Sequence, residues 1–450
     1  MDYSSKFPAV EKLKGKKAIF LLGTDQYIGE GLDKKGNKKT SETRVGIVPE
    51  QVLAIKEWLE SNGVAFDFYF VKGAGTRADF LDTAYLKIGG QLLFEHQLSS
   101  MQPPNVVHAL KEPCAYETFI PGPFLRIGAL HTGDFADESG VAFLFNQRNF
   151  CAIFDGSNVG TNDGHIPIRG AMSIFAGQIA SEFSNDHFIE NKINDLKVVI
   201  SGGGNAGKAA LRRLIELSND KINKVIISDP SETSRELLRE EFASNLKVEI
   251  ISDGTLQKSH VENCNAIILT AVKGSSAPDV ININEIKNVA EKCIIVDISI
   301  DEKGGIFIDG FDRKPKEITL SEIVAKNSEI LNSFQREIKY IADDHLPKYK
   351  PREASIAHGS AILPYIAMLL YCSAKYSGSR NAAKYILAGD YSESKEANEI
   401  LSHLRRGMVF YSSAPILYNK SIIKDTIEEK NKSNFEQFFN ESGIDFDTYE

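Results

Sequence analysis

Three glycines, Gly202, Gly204 and Gly207, follow the apolar run Val198-Val-Ile-Ser201 in G-x-G-x-x-G register, and the stretch Lys208 to Leu217 behind them has apolar residues at helical spacing. Such a strand, turn and helix could bind a dinucleotide. The first glycine permits the tight turn, the second leaves room for a pyrophosphate against bare backbone, and the third lets helix and strand approach closely. The helix start, with Asn205 and Ala206, offers N–H groups to phosphates. A lone glycine pattern is weak, because such turns also join ordinary strand and helix pairs. Here a second apolar run, Lys224-Val-Ile-Ile-Ser-Asp229, ends in an acid about 20 residues beyond the glycines, where ribose recognition requires one. A carboxylate there accepts from ribose hydroxyls and repels a 2′-phosphate, favouring NAD(H) over NADP(H). Arg235 is too far along the chain to be an obvious phosphate partner.

Two further groups stand at predicted strand ends. Asn105-Val-Val-His-Ala-Leu-Lys111 is an apolar strand closed by a lysine, with Pro113 keeping Glu112 extended. Phe124-Leu-Arg-Ile-Gly-Ala-Leu-His131 is another, closed by a histidine. Carboxyl ends of strands form the ligand crevice of an open parallel sheet, so Lys111 and His131 could face one pocket. A cation with a group titrating near neutrality suits carboxylate binding and proton transfer. A surface lysine and a hydrogen-bonded core histidine fit the spacing equally.

The elements that would position these groups alternate along the chain. Lys17 to Gly23 reads as a first strand, and the polar loop Thr24 to Thr43, with Lys34-Lys-Gly-Asn-Lys-Lys39, as a solvated segment. Arg44-Val-Gly-Ile-Val-Pro49 begins as a short strand or turn and enters a helix, Glu50 to Ser61, that stops at Asn62-Gly63. Strands are expected at 65–71, 91–94, 105–110, 125–130, 247–251, 266–270 and 294–298, with an amphipathic connecting helix from about Gly170. The pattern predicts an α/β protein with two Rossmann-like domains, each a doubly wound parallel sheet. Residues 1–169 with 348–450 would form a discontinuous substrate domain, and 170–347 the NAD-binding domain. Helical patterns continue past Arg380, and the acidic end from Glu428 reads as partly disordered.

Composition narrows the class. With 450 residues, 42% hydrophobic and 25% charged, the chain is that of an ordinary soluble protein with a sizeable core. A net charge of −9 without long basic runs argues against nucleic acid as the main partner. The five cysteines are scattered without C-x-x-C spacing, which indicates neither a metal site nor a disulfide framework. With no apolar leader and no run of membrane-spanning length, a cytosolic protein is expected.

Ser41-Glu-Thr-Arg-Val-Gly-Ile-Val-Pro49, Lys111-Glu-Pro113, Leu130-His131, Met172-Ser173 with Ala176-Gly177, the glycine turn, and Asp297-Ile-Ser-Ile-Asp-Glu-Lys-Gly-Gly305 succeed one another in a telling order. That order resembles alanine dehydrogenases, the transhydrogenase α-subunit and lysine-forming saccharopine dehydrogenases. His345-Leu-Pro347 and Pro351-Arg-Glu-Ala-Ser355 look most like the saccharopine branch. The resemblance implies that Arg44 and Lys111 grip the carboxylate of a 2-oxo or 2-amino acid and that His131 gives and takes a proton. It also implies that Asp301 lies beside the nicotinamide, that Ser173 meets a cofactor phosphate and that Leu346 helps to line the cofactor site. Each residue also has a plainer reading: Arg44 as a surface ion pair, Asp301 as a turn former, Ser173 as a helix N-cap.

The chain departs from the alanine dehydrogenase pattern at Phe154-Asp-Gly156, where those enzymes have Tyr-Glu-Thr, and at Asp343-Asp-His345. Added carboxylates could receive a second amine, and Asp343 and Asp344 could equally be solvated helix-end charges. The resulting expectation is an NAD-dependent oxidoreductase acting on the C–N bond of an amino acid, as a homo-oligomer. A transhydrogenase-like subunit and an NAD-binding regulator are the alternatives.

Overall fold

The computed structural model describes residues 2–24, 42–111, 115–129, 150–156, 159–160, 166–271, 280–300, 305–309, 320–343, 346–411 and 414–415. The chain divides into two compact units, Met1–Ala171 with Pro351–Glu450, and Met172–Lys350.

In the first unit, strands β1 (Lys16–Leu22), β2 (Val64–Val71), β3 (Gln91–Leu93), β4 (Val106–His108), β5 (Phe124–Gly128) and β6 (Phe150–Asp155) are parallel. They lie in the order β3-β2-β1-β4-β5-β6, the doubly wound arrangement whose ligand crevice opens between the first and fourth strands. Two short strands, Met408–Tyr411 and Ala414–Pro415, extend this sheet antiparallel beyond β6. This edge was not expected, and it is supplied by the chain that follows helix Lys395–Gly407. Helix Pro351–Lys375 is long and apolar enough to cross a membrane by length and composition, yet 72% of its most apolar window is buried. It is the core helix of this unit: Ile362, Ile366 and Leu369 pack with Phe20, Leu22 and Val52. Burial of each such side chain contributes about 1.5–3 kcal/mol.

The segment Arg44 to Val48 is not a strand but an irregular approach to helix Pro49–Ser61, and side chains satisfy its backbone instead. Ser355 Oγ accepts from the Val45 N–H (2.9 Å), Gln51 Oε1 from Val48 N–H (3.0 Å), and Tyr85 OH donates to the Ile47 carbonyl (2.9 Å). His358 Nδ1 lies 3.0 Å from the Gly46 carbonyl; since a carbonyl only accepts, that nitrogen carries the proton. The Pro351–Ser355 motif is therefore the scaffold of the Arg44 motif.

The second unit holds β7 (Leu196–Ser201), β8 (Ile222–Ser228), β9 (Val248–Ile251), β10 (Ala266–Leu269), β11 (Ile281–Asn282), β12 (Lys292–Asp297), β13 (Ile306–Phe307) and β14 (Glu337–Ala342). Six of them form a parallel sheet in the order β14-β12-β10-β7-β8-β9, again doubly wound, while β11 and β13 pair separately. Ser201, Ser228, Leu269, Asp297 and Ala342 end their strands in one row. Helix Asn205–Ser218 buries Ala209, Ala210, Leu211 and Leu214. The longer helix Pro167–Glu190 reaches it at Gly177, where a Cβ would overlap the Ala206 carbonyl, and at Ser181, whose hydroxyl donates to the Ala210 carbonyl (2.7 Å).

Candidate functional site

The glycine turn sits where β7 gives way to helix Asn205–Ser218, beside the switch in strand order between β7 and β10. Gly202 has φ +90°, a conformation that side-chain-bearing residues rarely adopt. At Gly207 a Cβ would overlap the Gly202 carbonyl, so helix and turn can close only without it. Gly204 differs: it is exposed and an added Cβ would meet nothing within 4 Å. The turn thus needs two of its glycines to fold and leaves the third as open backbone at the helix N-terminus, with exposed Asn205 and half-buried Ala206 beside it. That is a cradle suited to a pyrophosphate. Thr270, at the end of β10, braces it by donating to the carbonyls of Ser201 (2.6 Å) and Gly202 (3.0 Å).

Asp229 closes the other side. Its Oδ2 accepts from the Gly203 N–H (2.6 Å) and its Oδ1 from the Ser231 N–H (2.8 Å). A carboxylate has about four acceptor positions, so it remains able to accept from ribose hydroxyls. Arg235 proves to be a neighbour after all, because helix Glu232–Phe242 turns it back toward Asp229. Its Nη1 donates to the Asp229 and Pro230 carbonyls (both 2.8 Å), and its other arm meets Glu232, so its donors point at the chain rather than at a ligand.

Ser173 is half-buried in the second turn of the helix that begins at Pro167, so it is not an N-cap. It lies one turn before Gly177 on the face that meets Ala206. Leu346 is fully buried with Leu196, Val198 and Val296, and its side chain serves as core packing rather than cofactor lining. Asp343 accepts from the Tyr349 hydroxyl (2.9 Å) and pairs with Lys348 (2.7 Å). It stands at the end of β14, neither a solvated helix end nor an open receptor for a second amine. Asp297 is fully buried; it accepts from Ser299 N–H and Oγ through Oδ1 and from the Gly305 N–H through Oδ2 (3.1, 2.9 and 3.1 Å). It thereby ties together the two sides of the motif containing Asp301. Asp301 itself, His131, Glu112, Asp344, His345 and the Lys34 loop lie outside the described residues.

In the first unit, Arg44 grips Glu42 in a bidentate fork, Nε to Oε1 and Nη2 to Oε2, both 2.8 Å. Their side chains are 9% and 6% exposed, so this is not the surface ion pair that spacing allowed. Burial pushes the Glu42 carboxyl up, but the Arg44 guanidinium, the charge of Lys111 and the Arg44 N–H outweigh it and hold it at about 2. Two cations from distant motifs therefore act on one carboxylate. Lys111 follows β4, and Arg126 Nη2 donates to its carbonyl (2.5 Å). Arg126 is wholly buried and paired with buried Glu117. Beneath lie two stacked buried histidines, His108 and His358, with ring centroids 6.0 Å apart. Burial lowers both, His108 to about 4 and His358 to about 3, so they are neutral at physiological pH. Asp155 is buried at the end of β6, opposite Gly128 of β5.

Sequence reasoning missed Glu42, Glu117, Arg126 and Thr270. Only Arg126, a charge within an apolar strand, carries a visible signal. Among the described residues no group of histidine, cysteine and acidic side chains is arranged to hold a metal, and Cys264, Cys293 and Cys372 are free and buried.

Residues 189–389 match the family model described as alanine dehydrogenase/PNT, C-terminal domain. An alanine dehydrogenase of Staphylococcus epidermidis is 24% identical over 346 residues, 74% of this chain and 85% of that protein. Alanine dehydrogenase 2 of Staphylococcus aureus is 24% identical over 350 residues with the same coverage. Among solved structures, an L-alanine dehydrogenase aligns with a TM-score of 0.63 at 18% identity, covering 90% of this chain and 98% of that one. A transhydrogenase from Sinorhizobium meliloti aligns with a TM-score of 0.58 at 15% identity, covering 89% and 99%.

Proposed function

We propose that this protein, whose domain match, curated relatives and fold all fit the alanine dehydrogenase and transhydrogenase superfamily, is an NAD-dependent oxidoreductase acting on the C–N bond of an amino acid. The observation that carries the reading is the fork by which Arg44 holds the buried Glu42 carboxylate, a carboxylate that the charge of Lys111 also lowers. A guanidinium that binds a carboxylate in a two-point fork, beside a second cation, has the chemistry to hold that of a 2-oxo or 2-amino acid once Glu42 yields the fork.

The turn fits a dinucleotide: open Gly204 at a helix N-terminus for the pyrophosphate and Asp229 for the ribose. Bound there, NAD(H) supplies or takes up the hydride. The chain's own residues do the rest. Arg44 and Lys111 hold the substrate carboxylate, which fixes the α-carbon in space and removes orientational freedom from the reaction. By resemblance of its motif, His131 donates and accepts the proton and Asp301 orients substrate or water.

The test is NADH oxidation with a panel of 2-oxo acids, each with and without ammonium or a diamino acid. Turnover that needs a 2-oxo acid and either nitrogen source supports the reading, and the source that works separates an alanine-type from a saccharopine-type enzyme. Turnover only with a second nicotinamide dinucleotide, or none at all, overturns it.

A further inference from the structure

We infer that Arg126 is a positioning residue for the carboxylate site, acting through Lys111; the inference rests on the proposed role of Lys111. Arg126 lies within β5, opposite Val107 of β4, and is fully buried. Strand alternation puts it on the same face as Phe124, which packs with Val107, Tyr116, Ile120 and Ile153. Taking a guanidinium out of water into such surroundings costs several kcal/mol unless its donors are met, so a filler of this volume would be apolar.

The donors point at the end of the neighbouring strand. Nε and Nη2 each lie 3.4 Å from a Glu117 oxygen, and the shortest contact, 2.5 Å, is from Nη2 to the Lys111 carbonyl. Gly128, two residues on and on the same face, makes this path possible, since a Cβ there would overlap Arg126 Nη1. Strand β5 thus carries a charged rod along its face to the carboxyl end of the sheet. There the rod fixes the peptide plane of Lys111, three residues beyond β4, and with it the direction in which the chain presents the lysine. Glu117 compensates the charge of the guanidinium.

The test is a double-mutant cycle on the Michaelis constant for whichever 2-oxo acid supports the fastest NADH oxidation, read beside kcat, NADH affinity by calorimetry and melting temperature. Arg126→Lys keeps the charge and loses the fork. It is expected to raise KM about tenfold, with kcat and NADH affinity changed less than about threefold. In a Lys111→Met background the same substitution is expected to have no further effect on KM, because the residue through which it acts is gone. Should Arg126→Lys fold poorly, Arg126→Met with Glu117→Gln removes both charges together and enters the same cycle. An unchanged KM, or an increase that persists undiminished in the Lys111→Met background, overturns the inference and leaves the proposed function standing. A Lys111→Met variant with normal KM, or a wild-type protein without turnover, instead overturns the role of Lys111 on which it rests.

Discussion

The Glu42 carboxylate and the Arg44 guanidinium face each other in a two-point fork only two residues apart in the chain, nearly closed off from solvent. Because folding lowers the Glu42 carboxyl from 4.5 to about 2, its contribution to stability is present above about pH 4.5 and is lost as pH falls through about 2. At neutral pH it is on the order of 3 kcal/mol. Urea unfolding followed from pH 7 to 2 is therefore expected to lose this contribution in the wild type and not in Glu42→Gln. Equal slopes in the two proteins below pH 4.5 would speak against a locked carboxylate.

The buried histidines set a second window. His108 and His358 fall from 6.5 to about 4 and about 3 on folding, both chiefly through burial, so the fold holds them neutral while the unfolded chain takes up protons below pH 6.5. Stability is full above pH 6.5 and declines on acidification, by about 1.4 kcal/mol per pH unit for each histidine until the folded values are reached. His358→Gln should flatten the dependence of melting temperature on pH between 6.5 and 4. It should also lower the plateau, since the hydrogen bond from Nδ1 to the Gly46 carbonyl is lost. A variant as acid-sensitive as the wild type would contradict this.

The glycines of the turn separate folding from binding. Gly207→Ala forces a Cβ onto the Gly202 carbonyl and is expected to lower the melting temperature sharply, whereas Gly204→Ala meets nothing and should melt like the wild type. If Gly204 is where a pyrophosphate approaches, Gly204→Ala nonetheless weakens NADH binding about tenfold or more in calorimetry. A Gly204→Ala protein that binds NADH normally would remove the turn from the cofactor site.

Asp229 links the turn to β8 and is the residue proposed to select the cofactor. Asp229→Asn loses one of the two acceptors that meet Gly203 and Ser231 and loses the charge that repels a 2′-phosphate. NADH affinity should fall about tenfold while NADPH affinity falls less or rises. An unchanged ratio of the two dissociation constants would refute the ribose role.

Much of the architecture was legible because the requirements are local. Gly202 and Gly207 are dictated by a positive φ and a close approach, and short β-branched-rich apolar runs such as 198–201 and 266–269, next to turn residues, read as the buried strands they form. Residues acting across elements were not legible. Arg235 reads as distant until helix Glu232–Phe242 folds it beside Asp229, and Leu346 reads as lining until its burial among Leu196 and Val296 shows it as core. Glu42 lay inside a quoted motif, but its role depends on Arg44 turning back upon it. Strands β6 and β14 and the antiparallel edge at Met408–Tyr411 are four to six residues long, too short for periodicity alone to separate strand from helix.

The most direct test of the central claim uses NADH deuterated at nicotinamide C4, incubated with the protein, a 2-oxo acid and a nitrogen source, with products read by mass spectrometry. The account predicts deuterium on the α-carbon of an amino acid product, at a rate much reduced in Lys111→Met at subsaturating substrate. Deuterium recovered only in a second nicotinamide dinucleotide, or nowhere but in the starting cofactor, would contradict it.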